Sequence, residues 1–416
     1  MKKTTLKLTA ISVLLFTALV VAQCGSFISG NIFPAIPPIN SVYIRADGSI
    51  EPSTAPITIE NHVYTLTGDL TNTTLKIERD GIVLDGAGYS IIGNDIHFHA
   101  GVDISNRTNI TVRNLVINQF GSGILMDYAS KNTLKGNRIA TYEAFNMDNA
   151  DNNIIVGNTA ANQGYGIFGT GSYNQITDNN FSSFPSDGGI SMGISLWSSN
   201  NNTLSRNTIS HGIGISLSGS HYNTISNNTL IGGGTELGSK GIILTTASSN
   251  LVFGNIIKEK TSVESDALHL SVTSFNNVIF ENTFERNTFG VALSLHGVEV
   301  RAENVYNNTL YRNSFVDNDQ DVWVVQGTPV NYWDNGQEGN FWSDYEGTDN
   351  NNDGIGDTPY IIDENNQDNY PLMMPYVTSP SEPEQESFPT TLVIATSAIV
   401  ALVGLGLFVY FKKRKG

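Results

Sequence analysis

One phrase recurs through the middle of this chain and limits what it can fold into. It reads Asn, an apolar residue two positions on, a second Asn five positions on, and another apolar residue two beyond that. It occurs nine times, with Thr111 in place of the first apolar residue in the first copy, at Asn109/Asn114, Asn132/Asn137, Asn153/Asn158, Asn174/Asn179, Asn202/Asn207, Asn223/Asn228, Asn250/Asn255, Asn277/Asn282 and Asn308/Asn313. The first Asn recurs at intervals of 23, 21, 21, 28, 21, 27, 27 and 31 residues, a basic unit of about 21 with insertions. Units of this length cannot bury an apolar face alone and do so by stacking, so the chain is expected to be a solenoid. Within a unit apolar and polar residues alternate, as in Asn132-Thr-Leu134-Lys-Gly-Asn-Arg-Ile139, which is the period of a strand. The longer Leu-dominated consensus of a leucine-rich repeat is absent. The expectation is an all-β fold, a right-handed parallel β-helix over residues 57–325, with coils stacked about 4.8 Å apart.

Asn tolerates left-handed backbone at coil corners, and stacked Asn side chains can hydrogen-bond from coil to coil, so the Asn ladder reads as scaffold. Asp178 and Arg206, and likewise Glu281 and Arg312, fall at equivalent positions of adjacent coils and read as inter-coil ion pairs. A second, Gly-rich strand has a common register in which Ile194/Leu196, Ile215/Leu217, Ile242/Leu244, Leu268/Leu270 and Leu293/Leu295 point inward. Ser195, Ser216, Ile243, His269 and Ser294 then point outward, flanked by Trp197, Ser218, Thr245, Ser271 and His296. Insertions at Phe184 to Met192, Gly232 to Lys240 and Lys258 to Asp266 fall just before that strand, and insertions at one corner of a solenoid commonly build one functional face. The expected ligand site is a shallow groove with Trp197, Ser195, Ser216, His269 and His296.

The chain ends differ in kind from this middle. Residues 1–24 combine Lys2, Lys3 and Lys7 with an apolar run from Ile11 to Val21 and read as a secretory signal; Cys24, the one cysteine, lies inside it, with Gln23 fitting a lipoprotein site poorly. Residues 25–56 are expected as a lead-in. At the other end, 378–390 is a Pro- and Glu-rich stalk, and Thr391 to Phe411 is an uncharged run long enough, at about 1.5 Å per residue, to span roughly 30 Å of hydrocarbon. Lys412, Lys413, Arg414 and Lys415 place the C-terminus, 412–416, in the cytoplasm and the bulk of the chain outside a single-pass membrane helix. Between the two ends 39 acids face 15 cations, a net charge of −24, which excludes nucleic acid as a partner and disfavours anionic lipid.

Composition shifts again over 326–377, expected as a cap in which Tyr332, Trp333, Phe341, Trp342, Tyr345 and Tyr360 close the open end of the solenoid. Within it Asp349, Asn351, Asp353 and Asp357 stand at relative positions 1, 3, 5 and 9 around Gly354. That is the start of a Ca²⁺ loop, although Tyr360 stands where the bidentate Glu would be. Calcium binding and a self-bonded Asx turn both remain open.

The segments Asn331-Tyr-Trp-Asp-Asn-Gly336, Gly339-Asn-Phe-Trp-Ser-Asp-Tyr-Glu-Gly347, Asp349 to Tyr360 and Asn369-Tyr-Pro-Leu-Met373, with Asp85-Gly-Ala-Gly-Tyr-Ser-Ile-Ile-Gly93 and the Asn repeats, resemble the NosD-like β-helix family of periplasmic copper-binding proteins, over roughly residues 57–374. The resemblance implies the fold, and kinship with carbohydrate-binding and sugar-hydrolysing β-helices. Copper is implied by the family name alone: the extracellular part has no Cys and no His-rich or Met-rich cluster, with only His97 and His99 on one possible strand and the adjacent Met373 and Met374. The expected function is a surface module that binds polysaccharide or an envelope component. The alternative, a glycosidase or lyase, needs convergent carboxylates, and the nearest acids to the expected groove, Asp187, Glu264 and Asp266, lie in loops. Seven Asn-X-Ser/Thr sequons begin at Asn72, Asn106, Asn109, Asn180, Asn201, Asn227 and Asn307.

Overall fold

The computed structural model describes residues 39–94, 98–162, 164–183, 191–210, 212–232, 238–293, 304–325 and 327–376. The expected signal, the first part of the lead-in (25–38), the stalk, the membrane run and the basic tail lie outside the described residues, as do His97, Asp187, Ser294, Leu295 and His296. Every element among the described residues is a strand, so none of them forms a helix long and apolar enough to cross a membrane.

The chain winds through three sheets in turn. Sheet A has 13 strands running from Asn40–Ile44 to Gln320–Trp323. Sheet B has 12, ending at Thr309–Tyr311, and sheet C has 12, ending at Phe341–Trp342. Almost all pairs are parallel and join equivalent residues of successive coils; the antiparallel partners Ile50–Glu51 and Ile57–Glu60 sit at the N-terminal edge. The coils therefore begin at Asn40, inside the segment expected as a lead-in, because Asn40–Ile44 pairs with Thr73–Ile77 over its whole length.

The alternation of residue types becomes depth. Sheet A sends two side chains inward per coil, such as Ile215 and Leu217, while sheets B and C send one each, such as Ile225 and Leu230, and all of these are fully buried. Immediately before the first of these in sheet A runs a column of small residues, Gly166, Gly193, Gly214, Gly241 and Ala267. A Cβ on Gly241 would lie 2.4 Å from Ile257 Cγ2 and 2.2 Å from the Ala267 carbonyl oxygen. At these glycines the A–C corner has no room even for a methyl group, which is the physical reason for the Gly-rich strand.

The Asn repeat forms two buried ladders. Asn228 Oδ1 accepts the Asn207 backbone N–H at 2.9 Å and its Nδ2 at 3.0 Å, while Asn228 Nδ2 donates to the Leu204 carbonyl and to Asn255 Oδ1, both at 2.9 Å. The left-handed residue at each corner is the one before the ladder Asn: Asn201, Tyr222, Ser249, Asn276 and Asn307 before the first ladder, Arg206, Asn227, Gly254 and Glu281 before the second. Asn109 and Asn114, with φ of 57° and 53°, are such corner residues and not rungs. The ladder positions of their coil belong to buried Ile110 and Leu115, whose N–H groups donate to Asn132 and Asn137. Asn serves at both of two adjacent positions, so spacing alone does not separate them. At the other end the ladders run two rungs further than the repeat suggests, through Asn331 to Asn366 and through Asn340 to Asp368. The Asp178–Arg206 and Glu281–Arg312 pairs form as expected, at 2.8 and 3.4 Å; at the surface each contributes at most about 1 kcal/mol.

The cap is an aromatic plug. Trp342 is sandwiched between Phe315 and Tyr360, with ring centroids 4.2 Å away on both sides, and Trp333 lies 5.8 Å from it. Tyr332 differs from expectation: it is 52% exposed on the outside of sheet B, because it follows the ladder residue Asn331 by one position and so faces outward.

Two buried carboxylates make the fold pH-sensitive. Burial raises Asp321 and Asp368 from 3.8 to about 6, against the pull of donors from Asn318 and from Asn340 and Trp342 respectively. The folded state holds these protons more tightly than the unfolded chain, so their contribution to stability is fullest below about 3.8 and is lost as pH rises to about 6. Each shift corresponds to roughly 3 kcal/mol. Thermal unfolding should therefore move to higher temperature when pH is lowered from 7 to 4.5, and Asp321→Asn with Asp368→Asn should flatten that dependence.

Candidate functional site

The outer face of sheet A is built from columns one residue wide, since parallel in-register pairing stacks equivalent side chains. One column runs Asp103, Leu125, Asn146, Phe168, Ser195, Ser216, Ile243, His269, Ala292. A second runs Ser122, Glu143, Tyr165, Met192, Ile213, Lys240, Asp266. Trp197 lies on a third, beside Ser218, Thr245 and Ser271.

Trp197, Ser195 and Ser216 are together on this face, as expected, with Trp197 36% exposed. His269 is in the right column but is only 2% exposed. Its Nδ1 meets Asp266 Oδ2 at 2.7 Å, and the same oxygen receives Lys240 Nζ at 2.6 Å. Every residue of Asp266–Ser271 is buried on both sides of the sheet, so His269 belongs to an enclosed charge network and not to an open groove. Strand parity predicts direction, not depth. The last coil is also out of the expected register: Leu268 pairs with Val291 where Leu293 was expected, and His269 pairs with Ala292 where Ser294 was expected. A slip of two residues keeps every apolar side chain inward, so alternation does not reveal it.

What the repeat reading missed lies in the earlier coils. Phe168 packs on Trp197 at 4.6 Å between ring centroids, Tyr165 on Phe168 at 4.4 Å, and Tyr142 on Tyr165 at 6.2 Å. These four rings form a partly exposed stripe across three coils. Carboxylates border it. Glu143 Oε2 accepts Ser122 Oγ at 3.0 Å and Asn146 Nδ2 at 2.5 Å, and Asp148 Oδ1 accepts Thr170 Oγ1 at 3.1 Å. Burial, then repulsion from Asp148 and Asp103, raises the Asp127 carboxyl above its ordinary value. Burial, then Tyr142 and Glu143, raises the Tyr165 hydroxyl. The signal was present in the sequence: Tyr165-Gly-Ile-Phe168 repeats the register of Met192-Gly-Ile-Ser195 one coil earlier. Outward acids therefore exist on this sheet, upstream of the Ser and Thr columns.

The model of the right handed beta helix region matches residues 62–209, and that of the periplasmic copper-binding protein NosD matches 186–347. The chain is a right-handed β-helix protein that is similar to NosD over residues 186–347. The probable ABC transporter binding protein NosD of Stutzerimonas stutzeri is 29% identical over 136 residues, which is 30% of this chain and 29% of that one, so the similarity spans under a third of that relative's length. Among solved structures, the tailspike protein of E. coli bacteriophage HK620 in complex with pentasaccharide is 13% identical with a TM-score of 0.44, over 60% of this chain and 49% of its own. A double mutant of the periplasmic alginate epimerase AlgG is 14% identical with a TM-score of 0.41, over 70% and 83%.

No group of three or more His, Cys, Asp or Glu among the described residues is placed to hold a metal ion. His221 Nδ1 is taken by Ser248, at 2.8 Å to Oγ, and His269 by Asp266. The Asp349, Asn351, Asp353, Asp357 loop is closed by its own hydrogen bonds. Asp349 accepts from the Asp353 and Gly354 N–H groups at 3.2 and 2.9 Å, Asn351 bonds Asp353, and Asp357 accepts from Asn350. Carboxylate and amide oxygens that accept from backbone N–H groups a few residues on are the Asx-turn arrangement.

Proposed function

We propose that this chain is a saccharide-binding β-helix of the cell envelope and that the stripe Tyr142, Tyr165, Phe168, Trp197 is its binding surface. The observation that carries the reading is the continuity of four outward rings, each in contact with the next, bordered by carboxylate, amide and hydroxyl groups. Rings of this kind pack against the C–H faces of sugars while the polar border takes their hydroxyls. The apolar run 391–411 and the basic residues after it support attachment to a membrane with the β-helix outside.

The test is retention of the full chain on immobilised neutral, acidic and amino-sugar polysaccharides, with and without calcium. Trp197→Ala and Tyr165→Ala should each weaken retention about tenfold, roughly 1.4 kcal/mol, with unchanged thermal unfolding. Failure to bind any member of the panel would remove the saccharide reading.

Cleavage at the same face is the second reading, favoured by the raised carboxyl of Asp127 one coil from Asp148. Sugar released from the retained polymer by the wild type and not by Asp127→Asn would establish it; retention without release would leave a binding module.

A further inference from the structure

Three of the sequons share one phrase, Asn-Asn-Thr, at 201–203, 227–229 and 307–309. The fold treats their two asparagines in opposite ways. Asn201, Asn227 and Asn307 are exposed corner residues with φ of 58°, 55° and 58°. Their neighbours Asn202, Asn228 and Asn308 are buried rungs. The residue two beyond a rung is an inward core position, here Leu204, Leu230 and Leu310, and so never carries a hydroxyl. The residue two beyond the corner Asn is the outward first residue of a sheet B or sheet C strand, here a partly exposed Thr. The repeat itself therefore decides which of two adjacent asparagines can be an acceptor.

We propose that Asn201, Asn227 and Asn307 carry N-linked oligosaccharides. The chemistry is transfer from a polyprenyl-phosphate-linked oligosaccharide. The Asn amide nitrogen forms a bond to the anomeric carbon, the bond from that carbon to the phosphate oxygen breaks, the phosphate leaves with the bonding electrons, and the amide proton passes to a base of the transferase. Modification precedes closure of the coil, since the folded corner is rigid, and the finished fold then points the sugar into solvent. The A–B corner at Asn307 and the B–C corner at Asn227 flank an apolar stretch of sheet B with exposed Leu251, Tyr306, Val330 and Tyr332. Glycans there hydrate a face that is otherwise adhesive.

The experiment is peptide mass mapping of the full-length protein isolated from its own cells. The expected result is an added glycan mass at Asn201, Asn227 and Asn307, none at any ladder Asn, and none at the half-buried Asn72. Thr203→Val, Thr229→Val and Thr309→Val should each remove one glycan mass, and the triple variant should self-associate in light scattering. Bare peptides at all three sites in the wild-type protein, or glycan on a rung such as Asn228, would overturn the proposal, and neither readout depends on the variants folding.

Discussion

Asn228→Ala should cost roughly 3–6 kcal/mol, read as a fall in the urea midpoint. The side chain is buried, and its loss takes partners from the Asn207 N–H, one Asn207 amide hydrogen and the Leu204 carbonyl at once. Each buried polar group left without a partner costs about 1–3 kcal/mol. Water cannot substitute, because the rung lies between the core and a tight corner. Thr229→Ala, at the next position but facing outward, is the control and should shift stability by under about 0.5 kcal/mol. A solenoid is stabilised largely through contacts between neighbouring coils, so the transition should also become less cooperative as one coil-to-coil coupling is weakened. Equal midpoints for the two variants would mean that the ladder is ornament on a core held by its aliphatic residues alone.

Trp342→Ala should be of similar size, about 3–5 kcal/mol, and should produce aggregation as well as instability. Trp342 is the last inward residue of sheet C, stacked between Phe315 and Tyr360, and its Nε1 donates to Asp368 at 2.9 Å. Removing it opens the core at the C-terminal end, frees a sheet edge whose backbone groups can pair with another chain, and strips a donor from a carboxylate that is already raised to about 6. Light scattering during thermal unfolding separates this from a plain loss of stability: the variant should aggregate below its unfolding midpoint, and Trp342→Phe, which keeps the stack, should not. A monomeric Trp342→Ala protein with wild-type scattering would show that the plug does not guard the edge.

The period of the Asn phrase and the alternation within it were enough to determine a parallel β-helix, its inward residues and its inter-coil ion pairs, because each depends on neighbours at fixed offsets along the chain. The same local logic failed wherever two residue roles share a residue type or a parity. Asn109 and Asn132 share the five-residue spacing and are not equivalent, since a corner and a rung both select Asn and only Thr111, polar where Leu134 is apolar, marks the difference. Val291 and Leu293 are both apolar and of the same parity, so only pairing could decide which of them stacks on Leu268. The binding face was legible in part, through Trp197, Ser195 and Ser216. Its aromatic partners Tyr165 and Phe168 were hidden by distance along the chain, 32 and 29 residues before Trp197, although stacking brings them alongside it. His269 marks the remaining limit: alternation turned it outward correctly, but whether an outward side chain meets solvent or an enclosed aspartate depends on what other coils lay over it, and that is decided only when the chain has closed into three dimensions.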